Sequence, residues 1–299
     1  MTRHYRKIGR WAISCVVVSL LVSAAAAQRP GDGKTHPELL VSTQWLSEHL
    51  SDPKLVIFDV GMGGMESNFG KGHIPGAREF KDEVMSGPGE ELLPDDQLKT
   101  NLEAIGISDD SRVVIYSSHW TPMAARLLFT LDYVGFKNAA LLDGGMEKWM
   151  AEKRPTSTET PKITRGSLTI HPHPEIVAKM AEVQKWITGS DPRVVLLDAR
   201  PMKRYEAGHL SGAVPMFWEN NLVSRNNPVL KSPDELRKMY VSAGVTPGKR
   251  VVSYCEVGEQ ASYAYFVARY LGYDAAMYDG SWSEWSKEKQ PSVKGDSAR

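Results

Sequence analysis

The residue with the clearest chemical potential is Cys255, in the stretch 'VVSYCEVGEQAS' at residues 251–262. An apolar run typical of a buried strand precedes the cysteine, and a helical pattern begins near Ala261. The residues between them must turn tightly, and Gly258 supplies a position where an unusual φ angle has no steric cost. Backbone N–H groups of such a loop can converge on the sulfur, and the helix N-terminus adds partial positive charge. The pattern predicts a nucleophilic thiolate with a pKa below the ordinary value of about 8.5.

Two other chemistries are conceivable for these residue types. A cysteine phosphatase carries an arginine at the sixth position after the cysteine, where this chain has Ala261. Without that arginine a doubly charged phosphoryl group lacks its bidentate partner, which argues against phosphatase or arsenate reductase activity. A hydrolase built on Ser117 and His119 would need a third group to orient the histidine, and the sequence offers none.

The N-terminus has the pattern of a secretory signal peptide. Basic residues precede an apolar run that ends in consecutive alanines before Gln28, which predicts a cleaved signal over residues 1–27. An uncleaved anchor stays open, because the run is near the lower limit of roughly 17 residues for a membrane-spanning helix. Cleavage removes Cys15 and leaves Cys255 alone, so no intramolecular disulfide can form. An unpaired thiol in an exported protein is exposed to oxidation, so its presence indicates a functional role. The compartment we favour is a bacterial periplasm.

The chain contains an internal duplication. 'GHIPGAREF' at Gly72 matches 'GHLSGAVPMF' at Gly208, and 'LLDGGMEKW' ending at Trp149 matches 'MYDGSWSEW' ending at Trp285 with the same offset. Further blocks, 'LVIFDV' with 'VVLLDA' and 'LDYVGF' with 'ARYLGY', occur in the same order. In each copy short apolar runs alternate with helical patterns, which predicts a small parallel sheet with helices on both faces. The fold class is therefore α/β, with two tandem copies of one domain.

The copies are predicted to span residues 36–160 and 170–295, joined by a linker at 161–169 that is rich in proline, serine and threonine. His171 and His173 follow this linker among prolines and are interpreted as spacer residues, because no further metal ligands of suitable spacing lie nearby. No metal site is predicted.

These motifs together resemble the two-domain rhodanese sulfurtransferases, a group that includes thiosulfate and 3-mercaptopyruvate sulfurtransferases. The resemblance rests on the tandem copies, 'GHIPGA', 'DAR' followed by 'RY', the cysteine loop and the closing 'YDGSWSEW'. It implies that Cys255 forms a persulfide with sulfur from a small donor and passes it to a thiol, cyanide or protein acceptor, without a cofactor. It also implies that the first copy, with Ser117 at the cysteine position, is noncatalytic and walls a cleft between the domains.

The resemblance further implies a substrate-binding role for eight residues: Arg200, Arg204, Glu256, Val257, Gly258, Glu259, Gln260 and Trp282. For the two arginines, an alternative stays open in which they pin the loop through carboxylates such as that of Asp198. The motif residues His73 and His209 are expected to be structural. Trp149 and Trp285 are expected in the core, and Asp59 and Asp198 at strand ends are as compatible with loop capping as with substrate contact.

The loop predicts an unusual substrate preference. Members that use thiosulfate usually carry basic residues after the cysteine, and mercaptopyruvate users a glycine-serine-glycine pattern; this loop has Glu256 and Glu259. The carboxylates would repel a small dianion unless the arginines offset them or solvent screens them. We expect weak thiosulfate:cyanide activity and a less anionic donor. Two alternatives stay open: a sulfur-carrier or binding module with little turnover, and an inactive interaction domain.

The composition limits the classes of partner that the protein is expected to bind. Lysine plus arginine equals aspartate plus glutamate at 36 each, so no nucleic-acid partner is predicted. A membrane is expected as a partner only through the N-terminal segment if that segment is uncleaved.

Overall fold

The computed structural model describes residues 32–61, 68–87, 91–118 and 121–296, together with Met1. The predicted signal peptide at 1–27 lies outside the described residues, apart from Met1. Among the described residues, no helix has both the length and the hydropathy needed to cross a bilayer.

The first domain is a parallel five-stranded sheet with helices on both sides. Its elements are β1 (Leu40–Val41), α1 (Thr43–His49), β2 (Leu55–Val60), β3 (Ala77–Phe80), α2 (Asp95–Ala104), β4 (Arg112–Tyr116), α3 (Thr121–Tyr133), β5 (Ala139–Leu142) and α4 (Gly145–Ala151), with 3-10 helices at Pro37–Leu39, Phe69–Lys71 and Asp82–Val84. The strand order is β1-β5-β4-β2-β3, and every pairing is parallel.

The second domain repeats this plan. Its elements are β6 (Val177–Ala178), α5 (Met180–Gly189), β7 (Val194–Asp198), α6 (Met202–Ala207), β8 (Val214–Pro215), β9 (Leu222–Ser224), β10 (Asn227–Leu230), α7 (Pro233–Ser242), β11 (Arg250–Tyr254), α8 (Glu259–Tyr270), β12 (Asp274–Tyr278) and α9 (Ser281–Lys287), with 3-10 helices at Pro174–Ile176 and Trp218–Asn221. Its parallel sheet has the order β6-β12-β11-β7-β8, equivalent to that of the first domain. The α/β class and the tandem organisation predicted from the duplication are confirmed.

Local sequence explains why these elements form. The central strands β2, β4, β7 and β11 are short apolar runs, as expected for strands covered on both faces. Helix α7 begins with a capping box: the Glu235 amide donates to the Ser232 hydroxyl, the Ser232 amide donates to the Glu235 carboxylate, and Pro233 opens the first turn. Helix α6 and the antiparallel β9–β10 hairpin were not predicted, because their short segments lack a clear apolar period.

The two domains share one hydrophobic core. Helices α3 and α8 pack against each other, and both are buried over most of their length. Side chains from both domains belong to the same buried cluster, and the ring of Phe129 meets that of Tyr265 edge-on at 4.9 Å. A helix that is apolar all round must be covered on every side, which explains why neither α3 nor α8 has a polar face.

A polar contact closes one end of this helix pair. The Asp132 carboxylate on α3 accepts hydrogen bonds from the Tyr265 hydroxyl and the Arg269 guanidinium on α8. The domain interface therefore combines buried rings with a charged contact whose partners are only partly exposed.

The predicted linker at 161–169 packs against the first domain. Leu168 is buried, the Gly166 amide donates to the Glu103 carbonyl at 2.8 Å, and the Thr169 amide donates to the Asp109 carboxylate at 2.7 Å. The His173 ring pairs with the Glu175 carboxylate at 2.9 Å. Within the described ranges, no cluster of three potential metal ligands occurs.

The repeated motif residues are structural, as expected. His73 and His209 are fully buried, and each Nδ1 lies 2.9 Å from a backbone carbonyl four residues earlier. Trp149 and Trp285 are also in the core, and each indole N–H donates to a proline carbonyl six residues later. These positions hold the turns of both copies in the same shape.

The buried carboxylates at the ends of β2 and β7 differ between the copies. Asp198 is paired with Arg200, whereas Gly61 stands at the position equivalent to Arg200 beside Asp59. Asp59 is 4% exposed and accepts hydrogen bonds from the Ser118 hydroxyl at 3.2 and 3.3 Å. Burial raises the pKa of Asp59 from 3.8 to about 6.

We therefore predict that Asp59 makes the protein less stable as pH rises. Between pH 3.8 and about 6 the folded state retains a proton that the unfolded state has released, so the free energy of unfolding falls across this window and stays lower above it. Asp59→Asn should remove this dependence and raise the free energy of unfolding at pH 7 by about 3 kcal/mol at most. Urea denaturation between pH 4 and 7.5 measures both effects. Asp110→Asn, at an exposed carboxylate, is the control; an unchanged pH dependence in Asp59→Asn would contradict the prediction.

Candidate active site

Cys255 occupies the turn between a strand and a helix, as predicted. It follows β11 directly, and α8 begins four residues later at Glu259. Gly258 has φ 94°, a left-handed conformation that glycine adopts without steric cost, and it caps the helix. The Gly258 amide donates to Cys255 Sγ at 3.2 Å, and the amides of Val257 and Ala261 also point to the sulfur. The loop is thus a nest of N–H groups around one sulfur atom.

The predicted depression of the thiol pKa is wrong for this closed site. Burial raises the pKa of Cys255, which is 1% exposed; the amides of Ala261, Val257 and Gly258 oppose the shift, and the Glu259 charge adds to it. The amides do not compensate for removing the sulfur from water. The resting site therefore holds a protonated thiol at neutral pH, and the amides are placed to stabilise the sulfur anion once the proton leaves.

A segment after β12 supports the loop from behind. The Cys255 amide donates to the Ser281 hydroxyl at 3.2 Å, the Trp282 amide donates to the Cys255 carbonyl at 3.0 Å, and the Ser283 amide donates to the Glu256 carbonyl at 3.0 Å. Ser281 has φ 50°, which is uncommon for a residue other than glycine and is held here by its buried hydrogen bonds. This support was not predicted, although the repeated motif 'YDGSWSEW' contains all of it.

The structure places Arg200 against the loop and pairs it with carboxylates. Its Nε and Nη2 donate to the Asp198 carboxylate at 3.0 and 2.7 Å, and Nη2 also donates to the Gly208 carbonyl at 2.7 Å. Its Nη1 lies 3.6 Å from the Glu256 carboxylate, and its guanidinium lies 4.5 Å from the centre of the Trp282 ring. These are the contacts expected if Arg200 pins the loop, and its role in substrate binding stays a prediction.

The remaining predicted site residues are spread around the loop. Glu256 turns toward Arg200 with 45% of its side chain exposed, and Val257, Glu259 and Gln260 are partly exposed. Arg204 lies on the exposed side of α6, and no described contact joins its side chain to the Cys255 loop; its role in binding stays a prediction.

Two charged residues at the site were not predicted from the sequence. Arg126 of α3 and Asp279, directly after β12, form an ion pair at 2.5 Å, and both are almost fully buried. A side chain added at Gly258 would meet Asp279 Oδ1 at 3.1 Å and Arg126 Nη1 at 3.2 Å, so the pair lies directly against the Cys255 loop. The signal available in the sequence was a single arginine within the apolar helix 'AARLLFTLDY'.

In the first domain Ser117 takes the place of the cysteine. It follows β4 as Cys255 follows β11, and it is buried. His119, which the hydrolase alternative requires, lies outside the described residues.

Comparisons with known proteins agree with this geometry. Residues 42–152 and 179–288 match the model of the rhodanese-like domain. A sulfur carrier protein of Thermus thermophilus, TtuD, is 33% identical over 281 residues, covering 85% of this chain and 95% of that protein. A thiosulfate sulfurtransferase of Corynebacterium glutamicum is 29% identical over 275 residues, covering 84% of this chain and 88% of that protein.

Solved structures show the same architecture. The crystal structure of YnjE superposes with a TM-score of 0.78 at 25% identity, covering 88% of this chain and 70% of that one. An anaerobic ergothioneine biosynthesis enzyme from Chlorobium limicola superposes with a TM-score of 0.77 at 22% identity, covering 86% and 70%, and shows likeness of fold alone. The family matches cover four of the five strands in each sheet and the Cys255 loop, so the chain belongs to the rhodanese-type sulfurtransferase family and carries two rhodanese-like domains in tandem.

Proposed function

We propose that this protein moves sulfane sulfur from a small donor to a thiol or cyanide-type acceptor, or to a protein thiol, through a persulfide on Cys255. The observation that carries the proposal is the position of the Cys255 sulfur, 3.2 Å from the Gly258 amide in a loop whose amides converge on it. Such a loop stabilises negative charge on sulfur without a metal or a histidine base.

The transfer consists of two balanced substitutions at sulfur. With a persulfide donor, the Cys255 thiol gives up its proton and its sulfur attacks the outer sulfur of the donor. The S–S bond of the donor breaks, its electron pair leaves with the inner donor sulfur, which takes up the proton, and a new S–S bond forms on Cys255. An acceptor thiolate then attacks the outer sulfur of the Cys255 persulfide, and the electron pair of that S–S bond returns to Cys255. No external oxidant or reductant is consumed, and each step has one sulfur nucleophile and one sulfur leaving group.

We propose that the donor carries less negative charge than thiosulfate. The guanidinium of Arg200 already pairs with Asp198 and faces Glu256, so it offers a small dianion little uncompensated charge. A carboxylate about 6 Å from a bound unit anion costs about 3 kcal/mol at an effective dielectric near 20. Solvent reduces this cost for Glu256, which is 45% exposed, and the penalty is therefore moderate. A low-molecular-weight persulfide or a protein persulfide fits these charges better.

A second candidate function is a sulfur carrier with little turnover. It is supported by the name of the Thermus thermophilus relative, a sulfur carrier protein, and by the burial of Cys255, which protects a bound sulfur from solvent. A carrier would accept sulfur and release it only to a specific protein. The two candidates thus differ in whether small acceptors discharge the persulfide.

The compartment in which the protein acts is a separate proposal. The basic start, apolar run and alanine end of residues 1–27 support export, with the periplasm of a bacterium as the compartment. We expect protein recovered from the periplasmic fraction of an expressing cell to begin at or near Gln28. Recovery only from the cytoplasm with residues 1–27 intact would contradict export.

Replacement of the nucleophile tests the central proposal. Intact-mass measurement after exposure to a persulfide donor should show a one-sulfur adduct on the wild-type protein and none on Cys255→Ser, because a serine hydroxyl lacks the acidity of a thiol. Discharge of the adduct by cyanide or a small thiol supports the sulfurtransferase, and discharge only by a protein acceptor supports the carrier. Sulfur transfer that survives in Cys255→Ser would refute the mechanism.

Glu256→Gln tests the donor preference. Removing this charge frees part of the Arg200 guanidinium, so kcat/KM for thiosulfate should rise about twofold to fivefold, the range expected for an exposed charge worth about 1 kcal/mol or less. The rate with an uncharged persulfide donor should change less. Glu206→Gln, at an exposed carboxylate on α6, is the matched control. An equal rise with both donors, or no rise with thiosulfate, would count against charge selection.

A further inference from the structure

The domain without the cysteine places a buried arginine against the sulfur site. Arg126 lies on α3 of the first domain, is 2% exposed, and pairs with Asp279 of the second domain at 2.5 Å. The other carboxylate oxygen of Asp279 accepts a hydrogen bond from the Leu92 amide of the first domain at 3.0 Å. Both oxygens of this one carboxylate are therefore held by donors from across the domain interface.

Asp279 is connected to the sulfur through the backbone that follows it. Two residues later, the Ser281 hydroxyl accepts from the Cys255 amide, and the Trp282 amide donates to the Cys255 carbonyl. On its other side the ion pair contacts Gly258, whose amide donates to the Cys255 sulfur. A shift of Asp279 would therefore move both the support behind Cys255 and one of the amides that face its sulfur.

The equivalent contact in the other half of the molecule has no arginine. Asp143, which matches Asp279 in the repeat, accepts a hydrogen bond from the Leu230 amide of the second domain at 2.9 Å. The duplication therefore conserves a reciprocal contact between each aspartate and the backbone of the opposite domain. The position that matches Arg126 is Tyr263, a neutral side chain whose pKa is raised by burial and further by the nearby Asp143 charge. Of these two matched positions, the one beside the cysteine loop carries the guanidinium.

The positive charge of Arg126 matters for the Cys255 sulfur because of the charges that surround it. Among the residues that the structure describes, seven charged groups lie on the Cys255 loop or on the segments against it: Glu256, Glu259, Asp198, Arg200, Asp279, Glu284 and Arg126. Carboxylates outnumber guanidinium groups, and each carboxylate left uncompensated disfavours a sulfur anion. Without Arg126, the carboxylate of Asp279 would be buried beside the loop with the Leu92 hydrogen bond but no cation to balance its charge.

We propose that Arg126 is a positioning residue for the sulfur site: acting through Asp279, it fixes the Cys255 loop and cancels a buried negative charge that would otherwise oppose the sulfur anion. The first domain then contributes to sulfur chemistry through this residue and does more than wall the cleft. The proposal goes beyond the sulfur-transfer function and concerns the reactivity of the Cys255 thiol itself.

The test is the pH dependence of Cys255 alkylation by iodoacetamide in the purified chain. Arg126→Met should raise the apparent thiol pKa and slow alkylation at pH 8 about tenfold, the change that one pKa unit produces. Asp279→Asn should act in the opposite direction, because it removes a negative charge while keeping the shape of the side chain. Arg126→Lys, which keeps the charge without the planar fork, should lie between Arg126→Met and the wild type.

A matched control separates this effect from simple loss of domain contact. Asp132→Asn weakens a different charged contact between the two domains, the one that joins α3 to α8, and its partner Arg269 is ten residues along α8 from Glu259, roughly 15 Å away. It should lower the melting temperature and leave the alkylation rate within about twofold of wild type, as expected for distant sites.

The outcomes are decisive in either direction. An alkylation rate within twofold of wild type in Arg126→Met, or an equal slowing in Asp132→Asn, would overturn the proposal, as would pKa shifts of the same sign in Arg126→Met and Asp279→Asn. If Arg126→Met does not fold, Asp279→Asn decides alone: an unchanged or raised thiol pKa overturns the proposal. Because alkylation does not involve a sulfur donor, failure here leaves the persulfide function of Cys255 standing.

Discussion

The buried contact between α3 and α8 determines how the two sheets lie against each other, and the sulfur site depends on that arrangement. The helix that carries the nest of amides around Cys255 is packed directly on a helix of the other domain. At one end of the pair Asp132 joins Arg269, and near the other end Arg126 reaches Asp279. Because a close-packed interior transmits displacement, the geometry at Cys255 belongs to both domains.

Burial and reactivity oppose each other at this site. Enclosing the sulfur protects it from solvent and oxidants, but it also raises the thiol pKa, and neighbouring carboxylates add to the cost of an anion. The amides of the loop act in the other direction, with Gly258 giving the backbone a conformation that other residues rarely adopt. The protein thus has a less acidic thiol and a sheltered sulfur, an arrangement that is compatible with the persulfide proposed for Cys255.

The duplicated scaffold shows which features belong to the fold and which to the chemistry. The strand order, the buried histidines and the core tryptophans recur in both halves. Cys255 and Arg200 occur in the second half, where the first has Ser117 and Gly61. With Gly61 in place of an arginine, burial raises the pKa of Asp59, so the first-domain site has the shape of the second-domain site without its ion pair.

Much of this protein could be predicted from local pattern. The apolar runs, the turns and the repeated blocks identify two α/β domains, and the pattern around Cys255 predicts the strand–loop–helix that the structure shows, because periodicity and turn chemistry are properties of neighbouring residues. The thiol pKa and the contact between Arg126 and Asp279 could not be predicted in this way. Desolvation depends on everything packed around a group, and the two charged residues are 153 positions apart in the chain. The sequence alone determined which sulfur atom is the candidate nucleophile, and only the tertiary structure decided how strongly its surroundings favour the anion, because electrostatic energy depends on distance in space and on exclusion of water.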